Sequence, residues 1–242
     1  MSNDHLILIS GLSATGKSAS LRNLRNQEKV LYLNCEAGKK LPFKNKFVSK
    51  TITDPYQIEE AFDYCIANPD KFDVIVIDTL TYLLDMFESI YIYRSANGQQ
   101  AWADFQQYFK NLLQQKVAAC PCKVVFLAHT KEEYDEAAMR MRVAVPVKGA
   151  LKNNGIESYF STVISTKKVT VKDLEKYKEN NSMLQITEQD EMLGFKYVFQ
   201  TQLTKETVGE RIRGPMGMWS IPQTFIDNDV QAVLDHLDEY YG

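Results

Sequence analysis

Short apolar runs alternate along the chain with stretches whose apolar residues recur at helical spacing. Residues 6–10, 30–35, 74–77, 124–128, 162–169 and 197–203 have strand length. Several of them are apolar at consecutive positions, as strands buried on both faces are. Between them, amphipathic patterns predict helices starting at Ser18 and at about Pro55, and over about 99–117 and 150–160. Strands alternating with helices predict an α/β fold, a mostly parallel sheet with helices on both faces. In such sheets ligands bind beyond the carboxyl ends of the strands, so residues that end strands become the first candidates for chemistry.

Two stretches depart from this rhythm. Residues 170–196 are polar and lack a long apolar run, which predicts a surface insertion between two strands, in the form of a mobile hairpin. Residues 227–241 read as a short acidic helix. No repeat at a period of 20–50 residues is visible, which excludes a solenoid. At 242 residues the whole fits one domain, 1–242, with a full hydrophobic core.

Composition changes this picture little. The longest apolar runs fall short of a membrane span, and the N-terminus MSNDHLILIS lacks the basic start of a secretory signal, so a cytoplasmic protein with no membrane partner is expected. The four cysteines have no second Cys or His pair at zinc spacing and read as buried thiols. Charge is more informative. From Arg140 to Lys178 nine basic residues face three acidic ones, although the net charge is −3. That asymmetry suits an anionic partner on one face, and it equally suits a solvated charged surface.

The most specific signal is GLSATGKS, which is Gly11, Leu12, Ser13, Ala14, Thr15, Gly16, Lys17 and Ser18. Glycines at its ends let the backbone wrap a phosphate and turn N–H groups toward it at the start of the next helix. Lys17 then reaches the β and γ phosphates, and the Ser18 hydroxyl enters the shell of a magnesium ion. ATP and Mg2+ are the ligands this motif implies. FDVIVIDTL follows as an apolar strand ending in Asp78, which suits a carboxylate delivered to the same metal, usually through water. The residue after Asp78 is Thr79 rather than a glutamate, so a general base must come from elsewhere. Glu36, at the end of the strand VLYLNC, is positioned to face the γ phosphate and activate a water; Asp85 and Glu88 are the alternatives. Glu36 also reads as a plain surface carboxylate in the turn before Gly38.

At NCEAGKKLP the chain resembles RecA-like P-loop ATPases, in which the catalytic glutamate ends the strand after the P-loop helix. The resemblance covers about residues 4–220, and it implies a RecA-like P-loop NTPase core. It gives His129, at the end of VVFLAH, the role of γ-phosphate sensor; otherwise this is a hydrogen-bonded structural histidine. GERIRGPMG is similar to the basic-x-basic-Gly-Pro segment of DnaB-type helicases, so Arg211 and Arg213 look like fingers that reach a neighbouring subunit's γ phosphate. The alternative is two surface arginines in a Gly-Pro turn. A finger acting in trans implies a homo-oligomer, a ring or a filament. Among subfamilies the chain looks most like the small phage RecA-like ATPases linked to single-strand annealing and recombination.

That resemblance also implies single-stranded DNA as a partner, held by two loops. The first would be residues 91–100, with two tyrosines and Arg94; the second would be residues 130–152, with Arg140, Arg142, Lys148 and Lys152. Aromatic faces and cations suit sequence-independent contacts. The expected function is thus a DNA-stimulated ATPase of recombination, annealing or replication. The competing readings are a P-loop kinase for a nucleoside or small metabolite, and a nucleotide-gated assembly switch.

Overall fold

The computed structural model describes residues 3–136, 139–149 and 151–242. Among the described residues there are ten strands: β1 (Leu6–Gly11), β2 (Val30–Asn34), β3 (Val48–Thr51), β4 (Val74–Asp78), β5 (Lys123–His129), β6 (Lys131–Asp135), β7 (Arg140–Ala144), β8 (Thr162–Thr170), β9 (Phe195–Gln200) and β10 (Phe225–Asp227). Eight form one sheet in the order β10-β9-β8-β1-β5-β4-β2-β3. The six strands from β8 to β3 are parallel, and β9 and β10 add antiparallel pairs at one side. This is the expected α/β fold with a mostly parallel sheet, and each predicted strand is present, the last at 195–200 instead of 197–203.

The period-two alternation of side chains along a strand divides the apolar residues between two faces. Leu8, Leu33, Ile75, Ile77 and Phe126 point to one face, where they meet Phe62, Phe87, Phe105 and Phe109. These phenylalanines come from the helices Tyr56–Ala67, Leu80–Phe87 and Gly98–Asn111. Ile7, Ile9, Val76, Val125 and Leu127 point to the other face, against Leu21 and the residues Val233, Leu234 and Leu237 of the C-terminal helix Val230–Tyr241. That last helix matches the expected acidic one, and Asp229 caps its start by accepting from Gln231 N.

Several local expectations are corrected. The helix expected at Ser18 is a six-residue 3-10 segment, Ser18–Asn23. Leu24 leaves helical geometry at φ −54° and ψ 127°, so only six residues follow the loop as helix, and short runs of this kind are where 3-10 bonding occurs. The helix expected over 150–160 is two pieces, Leu151–Asn154 and the 3-10 turn Ile156–Tyr159, broken at Gly155 with φ of 74°. Ala150 itself lies outside the described residues.

The polar stretch 170–196 is not a hairpin. It forms the short helices Val171–Leu174 and Glu188–Leu193 and a 3-10 turn, Glu175–Tyr177. Leu174 and Leu184 pack with Val198 and Phe225 in a small core of their own. Conversely, residues 131–144, expected as loop, contain the hairpin of β6 and β7. The four cysteines are buried and free. No helix among the described residues is long and apolar enough to cross a membrane.

Candidate functional site

The carboxyl ends of β1, β5, β4 and β2 lie side by side, because these strands are neighbours and run in parallel. From the end of β1 the chain makes a tight loop with Ala14 at φ 61° and Gly16 at φ 97°. A side chain on Gly11 would collide with Thr166 of β8, so only glycine allows this approach. Thr15 is hydrogen-bonded to that same Thr166 hydroxyl at 2.5 Å and donates to Leu12 O at 2.8 Å, which fixes the shape of the loop. Leu12, Ser13 and Ala14 are exposed on its rim.

Lys17 is buried and donates from Nζ to the carbonyls of Gly11 (2.9 Å) and Leu12 (2.7 Å). Burial lowers its pKa to about 8, even though Asp78 and Glu36 pull the other way. The ammonium is thus held in a desolvated site with carbonyl acceptors, where an anionic ligand offers a stronger partner than either carbonyl.

Asp78 ends β4 on the face that carries Val74 and Val76. Asn34 of β2 lies opposite Asp78, so Tyr32, two residues back on β2, sits diagonally below it on the same face. Its hydroxyl donates to Asp78 Oδ2 at 2.7 Å, and Ser18 Oγ donates to the same atom at 2.9 Å. Burial nevertheless raises the Asp78 pKa above the ordinary carboxylate value, against the two hydrogen bonds. Its other oxygen, Oδ1, is buried without a hydrogen-bond partner.

Glu36 follows β2 and is anchored by its own backbone N–H, which donates to Asn34 Oδ1 at 2.9 Å. Its carboxylate accepts from Lys39 Nζ at 2.9 Å and meets His129 Nε2 at 3.3 Å. Burial pushes the Glu36 pKa up, but Lys39 and His129 together outweigh it and bring it below the usual value. His129 moves down, mainly through burial and then through the charge of Lys17. An ionised carboxylate can only accept, so the neutral imidazole carries its proton on Nε2 and donates to Glu36. The backbone N–H of His129 is held by Thr81 Oγ1 at 2.8 Å.

Lys17, Ser18, Glu36, Asp78 and His129 all line one cavity of about 220 Å³, with Tyr32 and residues 39–42 completing its walls. Tyr32, Thr81, Lys39 and Thr166 were not singled out in the sequence. A tyrosine inside a buried strand is itself a signal, because its hydroxyl needs a partner. Lys39 meets Glu36 within a single turn, three residues on, whereas the contacts of Thr81 and Thr166 depend on strand packing that no local pattern encodes.

The remaining candidates lie elsewhere. Asp85 and Glu88, the alternative bases, line a separate groove of about 330 Å³, where Glu88 is paired with Lys148 at 2.6 Å. Arg142, Lys148 and Lys152 line that groove together with Lys131. Arg94 and Arg140 are exposed. Tyr91, in the first expected DNA loop, donates from its hydroxyl to Asp54 at 2.6 Å and packs against Tyr56 and Phe87, so its ring is not a free stacking face. Arg211 and Arg213 are exposed and do not line the cavity of their own chain. The Arg213 backbone pairs with Val163, three residues before Thr166 on β8.

The donor set fits a magnesium nucleotide. Ser18 and Asp78 offer hard oxygen ligands, and the unpartnered Asp78 Oδ1 is free for a metal-bound water. Among the described residues no cluster of three or more His, Cys, Asp or Glu could hold a metal by itself, so phosphate and water oxygens would complete the shell. The glycine cradle and Lys17 supply the phosphate side.

No curated protein matches the chain. The family described as AAA domain matches residues 4–195, a span that runs from β1 to the first residue of β9 and holds all five groups of the cavity, and the chain belongs to that family of P-loop nucleotide-binding domains.

Proposed function

We propose that the chain hydrolyses ATP and applies the cycle to single-stranded DNA, in recombination, annealing or replication of the phage type. The observation that carries the hydrolytic reading is the contact of Glu36 with His129 in the cavity that also holds Lys17, Ser18 and Asp78. A carboxylate kept ionised by Lys39 and His129 is ready to accept a proton from a water attacking the γ phosphate. Lys17 neutralises charge on the β and γ phosphates. A magnesium ion held by Ser18 and Asp78 supplies further charge neutralisation on the phosphate oxygens when bound.

His129 gives the site an outlet. Its Nε2–H is bonded to the carboxylate that meets the water, and Thr130 alone separates it from β6. The β6–β7 hairpin and the residues after it carry Lys131, Arg142, Lys148 and Lys152 to one groove, which supports DNA contact through phosphates. Asp85, Glu88 and Glu133 line the same groove and limit its net charge. Arg211 and Arg213, exposed and not among the residues that line the cavity of their own chain, support a finger role toward a second copy in a ring or filament.

The test is phosphate release from ATP with magnesium, with and without single-stranded DNA. Hydrolysis that rises with DNA is expected. ADP release that requires a small-molecule acceptor would replace this reading with a kinase, and tight ATP binding without turnover would replace it with a switch.

A further inference from the structure

Two larger cavities adjoin the phosphate cavity. One, of about 540 Å³, shares Ala14, Gly16 and Ala19 with it, and its lysine, Lys196, is already held by Asp190 Oδ2 at 3.0 Å and Asp227 Oδ1 at 3.4 Å. The other, of about 560 Å³, shares Tyr32 and residues 39–41 and follows the outer strands β2 and β3. The segment that walls it has an unusual charge: residues 37–53 hold five lysines and no acid. Lys46 is paired with Glu28 at 3.2 Å and Lys50 with Glu60 at 3.9 Å. Lys40 and Lys44 line the groove, are exposed, and have no ion-pair partner among the described residues.

Unpaired ammonium groups beside small hydroxyls suit a chain of phosphates. The hydroxyls are those of Ser49 and Thr51, two residues apart and so on one face of the exposed edge strand β3. The apolar residues of the groove, Leu41 and Phe43, are packed against the core rather than presented as an anchor for a protein partner.

Lys39 belongs to both cavities. Its backbone is fixed, with the N–H donating to Glu36 O at 3.1 Å and the carbonyl accepting from Asn34 Nδ2 at 2.8 Å. Its side chain is 70% exposed, and its Nζ meets Glu36 Oε2 at 2.9 Å. Burial raises the proton affinity of that carboxylate; the Lys39 contact, ahead of His129, lowers it. The same ammonium thus restrains the base and faces the groove. A phosphate seated beside Lys40 and Lys44 competes with Glu36 for it.

We propose that this groove binds the phosphates of a single-stranded nucleic acid, and that a bound phosphate draws Lys39 off Glu36 and frees the base. The inference rests on the hydrolytic reading above and adds where the strand is felt by the site. With Lys39 withdrawn, His129 still meets Glu36, so the carboxylate gains basicity and keeps its place. The groove at β6 and β7 lacks this link, because its Lys148 is held by Glu88 and none of its residues lines the phosphate cavity.

Phosphate release from magnesium ATP by the full chain, titrated with an oligothymidylate, tests it. The parent is expected to speed up as the oligonucleotide binds. Lys44→Glu, a change at an exposed residue outside the phosphate cavity, should keep the DNA-free rate within about twofold and raise the half-stimulating concentration about tenfold. Lys39→Met should raise the DNA-free rate at least about threefold, toward the stimulated rate of the parent, and leave less than about twofold further stimulation. A lysine that merely propped the turn would give a slower enzyme instead. A DNA-free rate at or below the parent's in Lys39→Met, parent-like stimulation in Lys44→Glu, or equal stimulation of the parent by polyglutamate overturns the proposal. So does a parent that hydrolyses ATP without any response to the oligonucleotide. A parent that releases no phosphate under either condition overturns the hydrolytic reading, and the release of Glu36 with it. Fluorescence anisotropy of the labelled oligonucleotide then decides the groove alone, which falls if Lys44→Glu binds as tightly as the parent.

Discussion

The centre of the sheet and the flank beyond β8 hold their functional candidates by different means. At the centre, Lys17, Ser18, Asp78, Glu36 and His129 come from the ends of four adjacent parallel strands or the loop that follows one. Strand register fixes their spacing, and their burial makes each charge depend on its neighbours. On the flank, Arg211 and Arg213 lie on an exposed segment tied to the rest by backbone bridges, Val143 to Glu210 and Val163 to Arg213. On the proposed reading, the difference separates groups that can act within one chain from groups that act only on something brought to them. Substitutions at the centre should act at any protein concentration, and those on the flank only through a neighbour.

The largest effect tests that division directly. Arg213→Ala is expected to lower turnover by about 10³–10⁵, the range of an arginine finger. Lys17→Ala should also be inactive, through loss of phosphate binding. Mixed together, the two should regain activity, because one interface can pair an intact loop with an intact finger. Specific activity of the parent should rise with protein concentration. Full activity of Arg213→Ala at high dilution would return this arginine to the status of a surface residue.

Glu36→Gln comes next, with an expected loss of about 10²–10⁴ in turnover and nearly unchanged ATP affinity. Like Lys17→Ala, it should regain turnover only when mixed with a variant whose own site is intact, and not by raising its own concentration. Turnover at the parent rate would clear Glu36 of the base role and leave Asp85 and Glu88 to be tried, although both stand in another groove.

Most of the centre is legible in the sequence, because the features that create it are local: an apolar run, a strand-ending carboxylate, glycines at fixed offsets. Asp78, Glu36 and His129 each end or follow such a run and are found in one cavity. Tyr32 is hidden because its partner is 46 residues away and is set by strand register. The flank is poorly legible. So is the opposite edge of the sheet, where β3, VSKT, is exposed at every position and has no apolar alternation to read. In 170–196 the apolar residues are too widely spaced to show a period, and the capping pair Thr187–Asp190 with Gly194 at φ 75° shapes the segment instead. The second large cavity, between that segment and the phosphate loop, follows from this packing alone.

A smaller effect concerns pH. Lys17 must be charged to bind phosphate, and burial brings its pKa in the free protein to about 8. Raising pH through 8 removes that charge, so kcat/KM should fall by up to about tenfold per unit above it. Bound phosphates favour the ammonium, so the limb in kcat should lie at higher pH. Glu36, with its pKa held below the ordinary carboxylate value by Lys39 and His129, is ionised at neutral pH and should give no limb there. An alkaline limb at the same pH in kcat and kcat/KM would disconnect it from Lys17.

On the DNA side, binding to single strands should weaken with salt, with a log–log slope of roughly −0.7 per phosphate contacted. Arg142→Ala should flatten the slope by about one contact. Lys148→Ala should do less, because Glu88 already holds that ammonium at 2.6 Å. Equal effects of the two would mean that the Lys148–Glu88 pair opens when DNA binds.

The smallest expected effect returns to the centre and uses Tyr32→Phe, which removes one hydrogen bond from a buried carboxylate and leaves the ring in place. A bond to a charged group contributes about 1.5–3 kcal/mol, so thermal stability at neutral pH should drop by roughly that amount, while turnover changes less than about threefold. The pH dependence carries the argument. Burial raises the folded-state pKa of Asp78 above its unfolded value, so ionised Asp78 costs stability at neutral pH and that cost fades as pH falls through the raised pKa. Tyr32 donates to the ionised form, and its removal raises that pKa further. The stability gap between parent and Tyr32→Phe should therefore be widest at neutral pH and narrow on acidification, once Asp78 is protonated in both. A gap that stays constant on acidification until Asp78 is protonated in both would mean that the hydroxyl contributes through packing rather than through the charge of Asp78, and the centre would lose its coupling at this position.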